Sequence, residues 1–347
     1  MKVLVAMSGG VDSSVAAALL LREGHQVVGV TMRLWGGASD TGCCSVADVD
    51  DARRVAQQLG IDHLVFNFTE DFDAAVVGPY VRAHATGATP NPCIECNRGV
   101  KFSRLVERAE VLGFDAVATG HHARIERRGD RLALARGADR AKDQSYVVHM
   151  LDQERLARTL FPVGSFPAKA QLRALAAELG LRTATKPDSQ DVCFITSTGG
   201  REAFLRERLA LHPATVVDTS GRRLGEVPAI ELVTIGQRKG LGLPGGGPKR
   251  FVVDVDRSTS TVVVGAEHEL LRPALALTRM SWVDGPVTGD VLVQCSAHGA
   301  TEPATVEPTA DGVTLTWREP QRRVAPGQSV VLYDPSDRYV LGGGIAT

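Results

Sequence analysis

Several features are scarce in this chain of 347 residues, and each scarcity excludes a class of protein. No apolar run approaches the roughly 20 residues that a membrane-spanning helix needs, so we expect no membrane span. Six cysteines are too few for a disulfide scaffold in a chain of this length, which favours thiol chemistry or metal binding. The formal net charge of −1 predicts no general attraction to nucleic acid, so any such binding must use local basic patches.

The composition is that of a globular protein, with 44% hydrophobic and 23% charged residues. The length predicts two or three domains. The chain enters an apolar stretch, Val3–Met7, directly after Met1-Lys2, instead of showing the basic and apolar leader of a secreted protein. We therefore expect a cytoplasmic protein.

The first half alternates short apolar strands with helical patterns, which predicts an α/β fold with a doubly wound parallel sheet. In such sheets, ligands bind beyond the carboxyl ends of the strands. The predicted elements are strands over Lys2–Met7, Gln26–Arg33, Asp62–Asn67 and Asp115–Gly120, and helices from Asp12, over Val46–Leu59 and over Lys169–Leu181.

Beyond Ala214, short strands that alternate Val, Thr and Leu with polar residues are separated by Gly, Pro and Asp turns. This pattern predicts a small β-rich central domain followed by a C-terminal β-barrel. We place the domains at residues 1–205, 206–268 and 269–347. The predicted strands include Phe251–Asp256, Thr261–Gly265, Val291–Cys295, Gly312–Thr316 and Ser329–Tyr333.

The segment Ser8–Ser14 reads SGGVDSS and lies between the first strand and the first helix. Two glycines let the backbone approach an anion closely, and the helix that follows opens with unpaired amides and a positive dipole end. No lysine follows the glycines, which excludes the P-loop of ATPases and GTPases, and the spacing misses the dinucleotide motif G-x-G-x-x-G. The segment resembles the PP-loop of ATP pyrophosphatases. That resemblance implies ATP, an adenylated acceptor and released pyrophosphate.

The cysteines in TPNPCIECN, residues 89–97, allow three interpretations. Cys93 and Cys96 could bind zinc together with Cys43 and Cys44, if the fold brought the two pairs together. They could form a dithiol switch, or one of them could act as a nucleophile with Cys193, since both segments read as polar loops. The prolines predict an exposed turn here.

We expect the helix that contains Lys101 and Phe102 to begin at Asn97, after this turn.

Eight motifs in one order give the chain a resemblance to the bacterial tRNA-specific 2-thiouridylases, and the match covers nearly the whole sequence. The motifs are SGGVDSS, Cys43-Cys44-Ser45, TPNP-x-x-x-CN from Thr89, TGHHAR at Thr119–Arg124, KDQSY at Lys142–Tyr146, KPDSQDVCFI at Lys186–Ile195, TIGQRKGLG at Thr234–Gly242, and Leu341-Gly342-Gly343-Gly344.

The resemblance implies a sulfurtransferase that adenylates the C2 oxygen of the wobble uridine in tRNA and then replaces that oxygen with sulfur. It implies that Cys193 receives sulfur as a persulfide from a donor such as a cysteine desulfurase or a sulfur carrier. Cys96 is the implied nucleophile, which forms a transient disulfide with Cys193. The products are 2-thiouridine, AMP and pyrophosphate, and the expected substrates are the anticodon loops of tRNAs for Lys, Glu and Gln.

The same resemblance assigns roles by position. The residues expected to bind ATP are Ala6, Met7, Ser8, Gly9, Gly10, Val11, Asp12, Ser13, Met32 and Gly120, with Asp12 also placed near Mg²⁺. The residues expected to contact tRNA are Asn91, Pro92, Cys93, His121, Lys142, Asp143, Gln144 and Gln328. Two alternatives stay open, since His121 could be a buried pocket histidine and Gln328 a turn residue.

Cys93 departs from the pattern, because many relatives carry an Asp there to which acid–base work has been assigned. Either Glu95 or water then takes the proton, or Cys93 is a bystander.

Two other functions compete with this interpretation. An amide synthetase that adenylates a small carboxylate would need an ammonia source, and no glutaminase domain is visible. A non-catalytic nucleotide-binding or tRNA-binding module would be expected to lose Asp12 or one of the cysteines, and neither is missing.

Overall fold

The computed structural model describes residues 1–35, 46–188, 192–195, 199–243 and 247–347. Cys43 and Cys44 lie outside these residues. Within them, no helix has both the length and the apolar character to cross a membrane.

The α-helices of the described residues are α1 Val11–Arg22, α2 Val46–Leu59, α3 Thr69–Phe72, α4 Gly78–Ala85, α5 Pro92–Cys96, α6 Leu105–Val111, α7 Gln153–Ala157, α8 Lys169–Glu178 and α9 Gly200–Arg206. Two π-helical segments cover Asp73–Val77 and Asn97–Arg104, and 3₁₀ turns cover Ser145–Val148, Ile230–Leu232 and Glu267–Leu270. The strands are β1 Lys2–Ala6, β2 Gln26–Arg33, β3 His63–Asn67, β4 Ala116–Ala118, β5 Ala123–Arg128, β6 Arg131–Arg136, β7 Thr159–Leu160, β8 Ala214–Asp218, β9 Arg223–Val227, β10 Phe251–Asp256, β11 Thr261–Gly265, β12 Leu271–Trp282, β13 Gly289–Gln294, β14 Thr301–Pro308, β15 Gly312–Arg322, β16 Ser329–Tyr333 and β17 Tyr339–Ala346.

The N-terminal sheet is parallel throughout, with the strand order β3-β2-β1-β4-β7. Successive residues of β1 face opposite sides, so that Leu4 packs into one hydrophobic cluster while Val3 and Val5 pack into another. Helices cover both faces, which is why β1 is apolar at consecutive positions. The predicted doubly wound α/β fold is confirmed.

The order of the strands reverses at β1, since β2 lies on one side of it and β4 on the other. The loops that follow β1 and β4 therefore face each other at the carboxyl edge of the sheet. This is the switch point where such folds bind ligands.

Two β-structures follow. The first is a four-stranded sheet with the order β10-β11-β8-β9, whose core includes Val216, Val252, Val262 and Val264. The second is an antiparallel barrel, β12-β15-β14-β13-β16-β17, which the pairing of β12 with β17 closes. The predicted central β-rich domain and C-terminal barrel are both present.

A hairpin from the N-terminal half extends the barrel sheet. β5 and β6 pair with each other, and β6 continues onto β17 through the partners Tyr339↔Ala135 and Val340↔Leu134. The local sequence pattern cannot reveal the pairing of β6 with β17, because some 200 residues of chain separate the two strands. The barrel is thereby joined to the parallel-sheet domain by backbone hydrogen bonds.

Arg136, at the end of β6, is the centre of this join and is 5% exposed. Its guanidinium donates to Asp143 at 2.7 Å, to Gln294 at 2.9 Å and to Asp337 at 2.7 Å. The guanidinium carbon lies 3.5 Å from the centre of the Tyr333 ring. A charge this deeply buried is tolerated because carboxylates from both domains neutralise it.

We expect Arg136→Met to lower the free energy of unfolding by about 3 kcal/mol, because Asp143 and Asp337 would lose their buried partner. Urea unfolding at pH 7 measures the change. Arg222→Met is the matched control, since Arg222 pairs with Asp218 on the surface and should change stability by less than about 0.5 kcal/mol. Equal effects of the two substitutions would contradict the role given to Arg136.

Candidate active site

The loop between β1 and α1 is built to face an anion. Gly9 has a φ of +73°, and a Cβ there would lie 2.4 Å from the carbonyl oxygen of Asp48. Gly10 precedes the helix with an extended backbone, while the Ser13 hydroxyl accepts from the Ser8 amide at 3.2 Å and donates to the Gly10 carbonyl at 3.1 Å. These contacts hold the loop open in front of the first turn of α1. The amides of that turn have no partners inside the helix and form its positive end.

Gly120, which follows β4, packs directly on this turn. A Cβ at Gly120 would lie 2.7 Å from the Ser13 nitrogen and 2.8 Å from the Asp12 Cβ, so no side chain fits. Ala6 ends β1 and Met32 lies near the end of β2, at the same edge of the sheet. The structure thus gathers the residues expected to bind ATP at one edge, and their contacts with the nucleotide stay predictions.

Asp12 lies at the centre of a charge network on this turn. Both of its carboxylate oxygens accept from the Lys169 ammonium at 2.5 Å, and one of them also accepts from Nε2 of the buried His122 at 3.0 Å. Burial on its own would raise the pKa of Asp12, but the hydrogen bonds from His122 and Lys169 outweigh it and the pKa lies below its ordinary value. The carboxylate is therefore ionised at neutral pH.

The expected Mg²⁺ site at Asp12 has little support in this arrangement. Within the described part of the chain, no three His, Cys, Asp or Glu side chains form a group that could hold a metal. A metal ion at Asp12 would also have to displace Lys169 from both carboxylate oxygens. The side chains described here do not make a resident Mg²⁺ site, and Mg²⁺ at this position stays a prediction.

Lys169 is a site residue that sequence reasoning missed. It is the first residue of α8, where the helix dipole disfavours a cation, and its amide is capped by Asp139 from 30 residues away at 2.9 Å. A residue that is unfavourable for its local structure often marks a functional site. A lysine at the first position of a predicted helix was the sequence feature that could have identified Lys169. The Lys169 side chain is 12% exposed and brings a positive charge to Asp12, in the first turn of α1.

Asp188 connects three cations, one of which, Lys169, also pairs with Asp12. Its carboxylate accepts from Lys142 at 3.0 Å and from Arg173 at 2.7 Å, and it lies 3.3 Å from Lys169. Burial opposes ionisation, but the hydrogen bonds from Lys142 and Lys169 and their charges lower the pKa of Asp188 to about 2. Lys142, an expected tRNA contact, is thus also an ion-pair partner within the protein.

The segment that carries Cys93 and Cys96 differs from the predicted exposed turn. A helix, α5, begins at Pro92, and the Asn91 side chain caps it by accepting from the Cys93 amide at 3.0 Å. Proline suits the first position of a helix because its missing N–H has no partner there. The helical segment that contains Lys101 and Phe102 does begin at Asn97, as a π-helix, but it continues directly from α5, so that helical structure starts at Pro92.

The structure brings Cys96 and Cys193 into the same cluster. Cys96 is 7% exposed and lies within a hydrophobic cluster that also contains Phe194, and Cys193 packs against that cluster. Phe194 contacts the rings of Phe72 and Tyr80, with centroid distances of 5.7 and 5.5 Å. The expectation of two polar, exposed loops is wrong for Cys96, because the aromatic cluster covers it.

The zinc interpretation needs Cys43 and Cys44, of which nothing is described. Cys93 is exposed and Cys96 is buried, so the two thiols of the C-x-x-C motif have different surroundings. Unequal exposure suits two thiols with separate roles better than a pair that shares one metal ion.

His121 is buried in this structure, as the alternative interpretation allowed. Its Nδ1 lies 2.7 Å from the Thr119 hydroxyl, and its ring lies between those of Phe102 and Phe161 at 5.7 and 5.8 Å. Burial lowers the pKa of His121 well below its ordinary value, so the ring is neutral. A contact with tRNA would be made by a neutral imidazole.

The side chains of Asp143 and Gln144 both accept hydrogen bonds from backbone amides of the protein. The Asp143 carboxylate accepts from the Gly137 amide at 2.8 Å as well as from Arg136, and the Gln144 side-chain oxygen accepts from the His122 amide at 2.9 Å. Through His122, this segment is connected to Asp12. The contacts of Asp143 and Gln144 with tRNA stay predictions.

Comparison with known proteins agrees with this architecture. Three family models match in succession: "tRNA methyl transferase HUP domain" over residues 1–197, "tRNA methyl transferase PRC-barrel domain" over 202–266, and "Aminomethyltransferase beta-barrel domain" over 272–346. Full-length relatives named tRNA-specific 2-thiouridylase MnmA include those of Acidothermus cellulolyticus, 47% identical over 99% of this chain and 96% of the relative, and Chloroflexus aurantiacus, 46% identical over 99% and 97%. The chain belongs to the tRNA-specific 2-thiouridylase family.

A relative from Roseiflexus castenholzii, 44% identical over 99% of this chain and 98% of its own length, carries the same name. Two of the family-model names mention methyl transfer instead. The 2-thiouridylase family is nevertheless the assignment, because these relatives match over essentially their whole length.

We expect the Asp188 network to stabilise the fold in a pH-dependent way. A carboxyl with an ordinary pKa of 3.8 and a folded pKa of about 2 contributes at most about 2 kcal/mol, present above pH 4 and lost as the pH falls toward 2. The difference in unfolding free energy between wild type and Asp188→Asn should therefore shrink from pH 5 to pH 3. Asp130→Asn is the control at an exposed turn. A difference that is constant over this pH range would contradict the assignment.

Proposed function

We propose that this chain is a tRNA sulfurtransferase that adenylates the C2 oxygen of the wobble uridine and replaces it with sulfur supplied through Cys193. The observation that carries the proposal is the packing of Cys96 and Cys193 on one cluster in a domain whose sheet edge presents the SGGVDSS loop. We place the reaction in the cytoplasm, where tRNA is available.

Activation is required because the C2 carbonyl of uracil is urea-like and a poor electrophile. The C2 oxygen attacks the α-phosphorus of ATP and pyrophosphate leaves, so that the oxygen becomes part of a phosphate leaving group. The loop amides and the Lys169 ammonium face the negative charge that builds up on the departing pyrophosphate. Asp12 keeps Lys169 at the loop through two hydrogen bonds.

The two cysteines then divide the sulfur chemistry. A donor protein leaves a terminal sulfur on Cys193, and this sulfur becomes bonded to C2 as AMP leaves. The Cys96 thiolate attacks the Cys193 sulfur, which breaks the persulfide bond, forms the Cys96–Cys193 disulfide and leaves 2-thiouridine. Two external thiols, or one dithiol, reduce this disulfide to two thiols and are themselves oxidised to a disulfide. A persulfide is more acidic than a thiol, so the attack of its terminal sulfur on C2 needs no adjacent histidine base.

The position of α5 supports the proposed tRNA contacts. Asn91, Pro92 and Cys93 precede Cys96 on one short segment, which places the residues expected at the target base next to the nucleophile. Single-stranded loops can present an unstacked base to such a pocket, which favours the anticodon loop. The tRNAs for Lys, Glu and Gln are the expected substrates, and the sulfur donor is a cysteine desulfurase or a sulfur carrier.

Glu95 is held in place by two ion pairs. Its carboxylate lies 3.8 Å from Arg98 and 3.7 Å from Arg279, so two cations compete for it. Cys93 is exposed and connected to the Asn91 cap through its backbone amide, which any residue supplies. We therefore regard Cys93 as a bystander.

We expect wild-type protein with Mg-ATP, a persulfide donor and unmodified tRNA to form 2-thiouridine, and Cys96→Ser and Cys193→Ser to form at least a thousandfold less. Mass spectrometry of the digested nucleosides measures the product. Cys295→Ala is the matched control, because burial raises the pKa of the Cys295 thiol to about 12 and it lies on the barrel. Its activity should stay within twofold of wild type.

Cleavage of ATP to AMP and pyrophosphate without any 2-thiouridine would contradict the proposed thiolation, but it would still indicate an enzyme that adenylates an acceptor. An amide synthetase would then be the better interpretation.

We expect Cys93→Ala to keep at least a third of the wild-type rate of 2-thiouridine formation, because its backbone amide and the Asn91 cap are unchanged. The rate is measured at saturating tRNA and ATP. Asn91→Ala is the comparison variant, since loss of a helix cap costs about 1 kcal/mol and displaces α5. Complete loss of activity in Cys93→Ala would give the thiol a direct role.

A further inference from the structure

One turn of the barrel makes close contacts with the segment that leads to α5. This barrel turn, residues 325–328, is itself held firmly. The Gly327 amide donates to the Ala346 carbonyl at 2.9 Å, the Ala346 amide donates to the Gln328 carbonyl at 2.9 Å, and the Gln328 amide donates to the Ala325 carbonyl at 3.2 Å. The turn therefore moves with strand β17 and not as a free loop.

Three hydrogen bonds connect this turn to Thr89, which is 7% exposed. The Thr89 amide donates to the Pro326 carbonyl at 2.8 Å. Nε2 of Gln328 donates to the Thr89 carbonyl and lies 3.2 Å from the Thr89 hydroxyl. Both backbone polar groups of one loop residue are thus satisfied by a different domain, which fixes its position in two directions.

Gly327 adds a steric constraint to these bonds. It has a φ of +88°, and a Cβ there would lie 2.9 Å from the Ala88 Cβ and 3.0 Å from the Thr89 nitrogen. The backbone of the turn therefore touches the backbone of the segment directly. Such close contact leaves little room for the two to shift against each other.

The same segment is held from the other side by the central domain. Arg257 donates to the carbonyls of His84 at 3.0 Å and Ala85 at 3.1 Å, at the end of α4. A cation suits the carboxyl end of a helix, where carbonyls have no partners within the helix. Residues 84–89 are consequently connected to both β-domains before the chain enters α5.

One residue, Pro90, separates Thr89 from Asn91, whose side chain caps the helix that ends at Cys96. A displacement of Thr89 therefore displaces the cap and, through a helix of five residues, the thiol at its end.

We propose that Gln328 is a positioning residue that sets the location of Cys96 and the base-contacting segment through Thr89, in place of a contact between its amide nitrogen and tRNA. The expected decrease in kcat rests on the proposed function, whereas the expected displacement of the Thr89 segment rests on the structure alone. The Gln328 amide nitrogen already has two acceptors on Thr89. A misplaced nucleophile slows the chemical step, whereas a lost tRNA contact weakens binding.

The test compares Gln328→Met, which keeps the length of the side chain but cannot donate, with Gln321→Met. Gln321 lies near the end of β15 on the same barrel, and its side chain donates to the backbone carbonyl of Glu319 and not to Thr89. We expect Gln328→Met to reduce kcat for 2-thiouridine formation about tenfold at saturating tRNA, while the Kd for tRNA stays within twofold. Gln321→Met should match wild type in both quantities.

Hydrogen–deuterium exchange of the same proteins gives a second readout that does not depend on catalysis. Peptides covering residues 88–96 should exchange at least fivefold faster in Gln328→Met, while peptides covering residues 6–20 should be unchanged. If no 2-thiouridine forms even in wild type, the exchange result still decides whether the barrel turn holds the segment. Failure of the proposed function is thereby distinguished from failure of this inference.

Gly327→Ala provides an independent variant, because it keeps the Gln328 amide but pushes Ala88 and Thr89 away. It should show the same pattern, with faster exchange over residues 88–96, reduced kcat and unchanged Kd. Thermal unfolding of each variant identifies any that fails to fold. A weakened Kd with wild-type kcat in Gln328→Met, or wild-type exchange in both variants, would overturn the proposal.

Discussion

The structure depends first on the buried charge of Arg136. Guanidinium is protonated at every relevant pH, so burying it is tolerable only when carboxylates stay beside it. One of those carboxylates, Asp143, belongs to the parallel-sheet domain, and the other, Asp337, belongs to the barrel. Separating the domains would remove Asp337 and Gln294 from the Arg136 guanidinium. The contacts between the barrel and the segment that leads to Cys96 persist because this join does not slide.

A second constraint is the balance of charge beside the loop between β1 and α1. The chain has a formal net charge of −1, and yet Lys169, Lys142 and Arg173 gather around Asp188. Asp12 and Asp188 hold these cations in place, and both carboxyls have lowered pKa values. Cations held in place by partners need no reorganisation when charge develops nearby, which is the condition for electrostatic catalysis. The protein therefore has local positive charge without being a basic protein.

The sequence predicted what depends on local pattern. β1, the glycine loop and α1 are consecutive, so apolar alternation, two glycines and a helical pattern identify all three. Strand β2 and helix α2 have the predicted bounds for the same reason. One prediction failed within a local segment. Asn91 was expected to contact tRNA, and it also starts a helix whose existence the prolines concealed.

Sequence alone thus determined the fold class, the order of the domains and the chemical types present at the site, because each follows from periodicity, turn residues or a contiguous motif. Tertiary structure alone decided which of these residues meet. Cys96 and Cys193 share a cluster, Lys169 reaches Asp12, and Gln328 holds Thr89. The reason is physical, since contacts between residues a hundred or more positions apart depend on the packing of whole domains, which no local pattern encodes.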